Sequence, residues 1–162
     1  MTETTQAPSL SPASFDLTAP TKAEAAHLAA TLTREEKDVL LHHGTEAAFC
    51  GGLLDNKQDG VYCCRLCGLP LFQAKTKFES GTGWPSFFAP FDESHVRAIR
   101  DTSYGMVRIE TRCARCDSHQ GHVFPDGPRP TRLRYCINSV SLQFLANGDA
   151  LPDPLGRGDK IS

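Results

Sequence analysis

Two Cys-x-x-Cys pairs, Cys64–Cys67 and Cys113–Cys116, constrain this chain more than any other feature. Two intervening residues let both sulfurs of a pair reach one ion from a tight turn. Two such turns complete a tetrahedral site with no open position. A closed all-thiolate site is structural, and here it would staple two hairpins that lie far apart in sequence. The ribbon-like strand–turn–strand setting of each pair favours zinc over an iron–sulfur cluster. A redox pair of the thioredoxin type would instead bring a βαβ pattern, which neither pair has. Of the seven cysteines, Cys50, Cys63 and Cys136 are left over.

The 162 residues suffice for one domain with its own core. A net charge of −2 argues against a nucleic-acid partner, because phosphate binding needs a basic face. No apolar run approaches a membrane span. The N-terminus shows neither a signal-peptide layout nor a transit pattern, since Glu3 and Asp16 come early and no arginine precedes Arg34. A monomer in the reducing cytoplasm is the expectation. There, paired cysteines are metal ligands or catalytic thiols rather than structural disulfides.

Residues 1–20, rich in Ser, Thr, Pro and Ala, read as a disordered arm. Thr21-x-x-Glu24 has the form of a capping box opening a short helix to about Ala30, and Thr33-x-x-Glu36 repeats it. The second helix places Glu35 and Glu36 in its first turn and His42 and His43 in its last, with Gly44 as the stop. Beyond Gly44 the helical period disappears and a mainly β body is expected. Gly60–Cys63 enters the first cysteine pair, Leu69–Phe72 leaves it, and Gly105–Arg112 runs into the second. Tyr135 to Leu145 reads as one strand with Val140, Leu142 and Phe144 on one face. The domain is thus expected over residues 21–146, followed by a loose Gly/Pro/Asp-rich tail over 147–162.

Cys136 heads that last strand, in Arg134-Tyr-Cys-Ile-Asn138. Side chains two apart share a face, so Arg134, Cys136 and Asn138 point the same way. A half-sheltered thiol beside a cation suggests a favoured thiolate. His119-Gln-Gly-His122 offers two imidazoles able to carry a proton if they fold over Cys136. Trp84, on the glycine-rich turn Gly81–Phe87, suits a pocket wall for an apolar group. Each residue also has a plain structural role: a buried small thiol, loop histidines, a core tryptophan, an edge arginine. The chemical reading requires the four segments to converge.

Four blocks carry a resemblance: Cys64-Arg-Leu-Cys-Gly-Leu-Pro-Leu-Phe72, Ser80-Gly-Thr-Gly-Trp-Pro-Ser-Phe87, the segment from Cys113 through His119 and His122 to Pro128, and Arg134-Tyr-Cys-Ile-Asn-Ser-Val-Ser-Leu142. They resemble, in order, the signature blocks of the B-type methionine-R-sulfoxide reductases from about Leu32 to Leu145. The resemblance implies a small barrel-like domain of two antiparallel sheets, short N-terminal helices, and a zinc site remote from the catalytic centre. It implies that Cys136 attacks the sulfoxide sulfur and becomes a sulfenic acid, with Arg134 beside it. It implies that Trp84 packs on the substrate methyl group, that His119 and His122 lie near the sulfoxide oxygen, and that Asn138 is a polar pocket residue. Cys64, Cys67, Cys113 and Cys116 match the zinc ligands. R-stereospecificity and a preference for oxidised methionine in proteins follow from the resemblance alone.

The sequence departs from the family at Thr82, where many relatives place a resolving cysteine. A sulfenic acid condenses with a second thiol, and Cys50 and Cys63 remain. Cys50, in the glycine-flanked Ala48-Phe-Cys-Gly-Gly52, is the expected resolving thiol, with thioredoxin as reductant of a Cys50–Cys136 disulfide. Cys63 abuts a metal ligand. The competing readings are a zinc-ribbon binding module, which leaves Cys136, His119, His122 and Trp84 unused, and a Cys–His hydrolase.

Overall fold

Both capping boxes form in the computed structural model, which describes residues 10–160. The Thr21 hydroxyl accepts from Glu24 N–H at 3.1 Å while Thr21 N–H donates to the Glu24 carboxylate at 2.9 Å, opening α1 (Lys22–Ala30). Thr33 and Glu36 repeat this at 3.1 and 2.8 Å at the head of α2 (Arg34–Leu40). Glu36 also accepts from Arg65 Nε at 2.6 Å, which ties α2 to the first cysteine turn. The second helix is shorter than expected and leaves His42 and His43 beyond its end. His43 takes the left-handed conformation at φ 59°, and Gly44 N–H donates back to Asp38 C=O at 2.9 Å. The closing turn thus puts a histidine where such turns usually place glycine.

The body is mainly β, as expected. It comprises β1 (Gly60–Cys64), β2 (Pro70–Gln73), β3 (Lys77–Phe78), β4 (Ser86–Phe87), β5 (Val96–Asp101), β6 (Arg108–Cys113), β7 (His119–Phe124), β8 (Arg134–Ile137) and β9 (Leu142–Ala146). These form two antiparallel sheets, β2-β1-β9 and β3-β4-β8-β7-β6-β5. Tyr62, Leu71 and Phe72 of the small sheet and Phe87 and Ile137 of the large one are buried together. Phe72 stacks on Phe87 with ring centroids 4.5 Å apart, and Tyr62 meets Phe87 edge-on at 5.1 Å. No helix among the described residues is long and apolar enough to cross a membrane.

Three expectations change. The single strand over Tyr135–Leu145 is two strands in different sheets, β8 and β9, joined by a 3-10 turn at Ser139–Ser141. Asn138 makes the corner. Its Nδ2 donates to Gln120 C=O at 3.1 Å and its Oδ1 accepts from Glu46 N–H at 3.0 Å. Ser141 then donates to His119 C=O at 3.0 Å. These long-range bonds bend a segment whose alternation alone reads as continuous.

The expected disordered arm covers residues 1–9, which lie outside the described residues, and residues 10–20, which pack on the body. Phe15 is buried, its ring 5.9 Å from Phe91 and 5.3 Å from His95, and the Ser11 hydroxyl lies 2.8 Å from His95 Nε2. One aromatic side chain with a cleft to fill outweighs a polar composition around it.

The expected loose tail, whose residues 161–162 lie outside the described residues, also docks through Asp159 and Pro152. Asp159 pairs with the fully buried Arg115 at 2.7 Å, and the backbone of Pro152 lies against Gly68.

Candidate active site

Antiparallel pairing decides which side chains meet. In the β7–β8 ladder, His122 lies opposite Cys136 and Phe124 opposite Arg134. Opposite residues share a face, so the imidazole and the thiol are neighbours on the sheet. On its other side Cys136 is opposite Ser86 of β4. Gly121, next along β7, runs so close to β8 that a Cβ there would collide with the Cys136 carbonyl oxygen.

Residues three apart on a strand normally face opposite ways, yet His119 and His122 lie on one side with ring centroids 5.6 Å apart. The reason is a bulge. Thr111 pairs with Gly121 but Arg112 pairs with His119, so Gln120 is inserted between them. The Gln120 side chain turns inward and donates to Cys64 Sγ at 3.6 Å and to the Ser118 hydroxyl at 3.0 Å. An inserted glutamine is thus what sets both imidazoles on one side of the strand.

Trp84, His122, Phe124, Cys136, Asn138 and Arg108 border one pocket of about 110 Å³. The backbone of Glu46 fastens two of its walls, taking the Trp84 Nε1–H at 3.0 Å on its carbonyl and giving its N–H to Asn138. The buried Glu46 carboxylate accepts from Val140 N–H at 2.9 Å, and burial pushes its pKa up. His119 borders a larger adjoining groove of about 720 Å³, which His122 and Arg108 share. Arg134 stands beside the pocket. Its guanidinium lies 4.4 Å over the Phe124 ring and donates to Asp126 at 2.9 and 3.1 Å.

Carboxylates that the linear sequence does not advertise orient both histidines. His119 Nδ1–H donates to Glu110 Oε2 at 2.6 Å, and His122 Nε2–H donates to Asp101 Oδ2 at 2.8 Å. A carboxylate only accepts, so each bond sets a tautomer. Burial lowers the His119 pKa, with Glu110 pulling against it. Asp101 is held well below the usual carboxylate range by Ser103 and His122. Glu46, Asp101 and Glu110 carry no local pattern that reveals them. Each acts across the fold.

Burial pushes the Cys136 thiol up, with Thr82 and then Arg134 pulling it back. The expected net preference for thiolate is thus absent, because burial outweighs what Thr82 and Arg134 return. The Thr82 hydroxyl lies 4.0 Å from Cys136 Sγ.

Cys50 is exposed and borders neither the pocket nor the groove. Its loop nonetheless lies on the turn that carries Thr82 and Trp84. Phe49 N–H donates to Gly83 C=O at 2.7 Å, and a Cβ on Gly83, which has φ 91°, would stand 2.8 Å from Ala48 Cβ. Gly51 is docked rather than free, since a Cβ there would strike the Glu46 carboxylate, while Gly52 faces open space. Cys63 is fully buried in β1, which drives its thiol pKa far up.

Away from the pocket the four paired cysteines come together, as their spacing requires. Cys64 Sγ lies 3.6 Å from Cys116 Sγ and Cys67 Sγ 3.5 Å from Cys113 Sγ. All four sulfurs fall within 4.8 Å of one another. Tetrahedral Zn–S bonds of about 2.3 Å set sulfurs roughly 3.8 Å apart, so this donor set fits one such ion. The Ser118 hydroxyl, 3.3 Å from Cys64 Sγ and 3.1 Å from Cys116 Sγ, supplies an outer hydrogen-bonding partner.

Comparison with known proteins places this architecture. The SelR domain family matches residues 32–146. A peptide methionine sulfoxide reductase MsrB of Caulobacter vibrioides is 76% identical over 158 residues, covering 98% of this chain and 99% of the relative. An MsrB of Xylella fastidiosa is 61% identical over 148 residues, 91% of this chain and 96% of its own. One from Escherichia coli is 54% identical over 132 residues, 80% and 96% respectively. The chain belongs to the SelR family of MsrB-type peptide methionine sulfoxide reductases.

Proposed function

We propose that this chain is a peptide-methionine (R)-S-oxide reductase in which Cys136 attacks the sulfoxide. The pairing of His122 opposite Cys136, in a pocket walled by Trp84 and Asn138, carries the reading. The substrate methyl group packs on Trp84, whose indole is held by Glu46. The Cys136 sulfur attacks the sulfoxide sulfur as its thiol proton passes through His122 Nδ1, which is open to accept it because Nε2–H is committed to Asp101, to the sulfoxide oxygen. The protonated oxygen moves to Sγ as its bond to the substrate sulfur and the transient S–S bond break, so methionine departs reduced by two electrons and Cys136 is oxidised to a sulfenic acid. Because burial favours the neutral thiol, its deprotonation is coupled to substrate binding, when the charged intermediate draws on Arg134.

Cys50 then condenses with the sulfenic acid, releasing water and forming a Cys50–Cys136 disulfide, which thioredoxin reduces. The docking of the Cys50 loop on the Thr82–Trp84 turn supports Cys50, and the burial of Cys63 disfavours the alternative. Zinc in the four-cysteine site anchors the two hairpins, and its residues stand apart from the reacting groups. A monomer recycled by thioredoxin in the reducing cytoplasm completes the proposal.

The test incubates reduced enzyme with the separate R and S epimers of a methionine sulfoxide peptide without reductant. One equivalent of methionine from the R epimer alone, with a Cys50–Cys136 disulfide by mass spectrometry, is the expected result. Cys50→Ser should keep that first turnover and lose thioredoxin-driven recycling. Methionine from neither epimer would overturn the assignment.

A further inference from the structure

Glu110 gathers more partners than the orientation of one histidine needs. Its Oε2 accepts from His119 Nδ1 at 2.6 Å and also from His43 Nδ1 at 2.9 Å, a residue far away in sequence. The three donor atoms lie within 4.8 Å of one another. They converge on the wall of the 720 Å³ groove, which leaves solvent-facing positions beside them. His43 reaches this point because of its left-handed φ of 59° at the end of α2.

We propose that His43 Nδ1, Glu110 Oε2 and His119 Nδ1 form a second transition-metal site, distinct from the four-cysteine cluster, that takes Zn²⁺ from solution. Two imidazole nitrogens and one carboxylate suit zinc and disfavour magnesium or calcium, which take oxygen. Three protein ligands with an open fourth position is also a known zinc arrangement. Bonds of about 2.0–2.1 Å at tetrahedral angles set ligand atoms roughly 3.3 Å apart, so each nitrogen need open from Oε2 by less than about 1 Å. The half-exposed His43 side chain can supply that movement. Glu110 and His119 are fixed already, Glu110 by Arg112 Nη2, which donates to Oε1 at 2.9 Å and leaves Oε2 for the ion.

The proton balance is simple. Each neutral imidazole now holds its proton on Nδ1. Zinc takes the Nδ1 lone pair, and the proton resides on Nε2 instead. An imidazolium would release one proton, so affinity falls on acidification. The neighbouring charges lining the groove are Arg100, Arg108, Arg112 and Asp101, with His122 beside His119. The three arginines hold the affinity below that of a closed four-ligand cage. Zinc here also draws His119 away from His122 and occupies the groove beside the sulfoxide pocket. On the reductase reading above, it therefore inhibits turnover.

The test titrates Zn²⁺ into holoprotein carrying Cys136→Ser and Cys50→Ser, so that neither thiol competes, with calorimetry as the readout. One further equivalent per chain is expected, weakened at least about tenfold by His43→Ala and unaffected by His42→Ala. In the histidine NMR spectrum, Nδ1 of His43 and His119 should shift with the metal. No saturable binding, or binding that His43→Ala leaves unchanged, overturns the site. Inhibition is read separately in protein with native cysteines, each variant against its own zinc-free rate, and His43→Ala should raise the half-inhibiting zinc concentration at least tenfold. An enzyme inactive from the start would undo the reductase reading without touching the binding result.

Discussion

Replacing Asp159 by alanine should destabilise the protein by about 3 kcal/mol, although the residue lies beyond the family-matched segment. The Arg115 side chain is 0% exposed and that of Asp159 3% exposed. The pair is bidentate, with Nη2 donating to Oδ2 at 2.7 Å and Nη1 to Oδ1 at 3.2 Å. The same guanidinium donates to Cys67 C=O at 2.9 Å and Asp16 C=O at 3.2 Å. Asp159→Ala removes the counter-charge and leaves a buried cation, which arginine cannot neutralise by losing a proton. Breaking one partner of such a pair costs about 3–5 kcal/mol. The two retained carbonyl bonds, and the freedom of the tail to lift and admit water, favour the lower end. For a domain of this size, 1 kcal/mol moves the melting temperature by about 2–4 °C, so a fall of roughly 6–12 °C is expected. Thermal and urea unfolding of the metal-loaded protein measure it. Arg115→Met in the Asp159→Ala background should recover most of the loss, because no orphan charge remains. A fall of under about 2 °C for Asp159→Ala, or no recovery in the double variant, would refute the reasoning.

Two further outcomes follow from the pocket. Gly121→Ala must part β7 from β8 at Cys136, so kcat/KM should fall about 100-fold while metal content is unchanged, as kinetics and metal analysis will reveal. Glu110 bonds to Arg112, His119 and His43 outweigh the burial that would raise its carboxyl, so its folded pKa lies below its ordinary value. Its stabilising contribution is therefore full above the unfolded value of about 4.3 and lost as pH falls through the folded pKa. Glu110→Gln should narrow its stability gap to the parent on acidification, as urea unfolding at a series of pH values will measure.

Much of the molecule was legible because the interactions that form it are local. A threonine and a glutamate three residues apart satisfy one another at the start of each helix whatever follows. Two cysteines around a two-residue turn face one ion for the same reason, and the four-sulfur cluster needed only that its two halves meet. Trp84, Cys136, His122 and Asn138 were also named in advance, although on a picture of one straight strand.

What the tertiary structure alone decided is how those residues face one another. The Asn138 corner depends on Glu46 and Gln120. The shared face of His119 and His122 depends on Gln120 turning toward the cysteine cluster. The burial of Phe15 depends on a cleft between Phe91 and His95. The carboxylates that set the histidine tautomers come from β5 and β6. Periodicity in a chain reports which side a residue takes relative to its near neighbours. It carries no information about a bulge, a corner or a partner whose stabilising bond comes from another strand, and those contacts decide what this pocket can do.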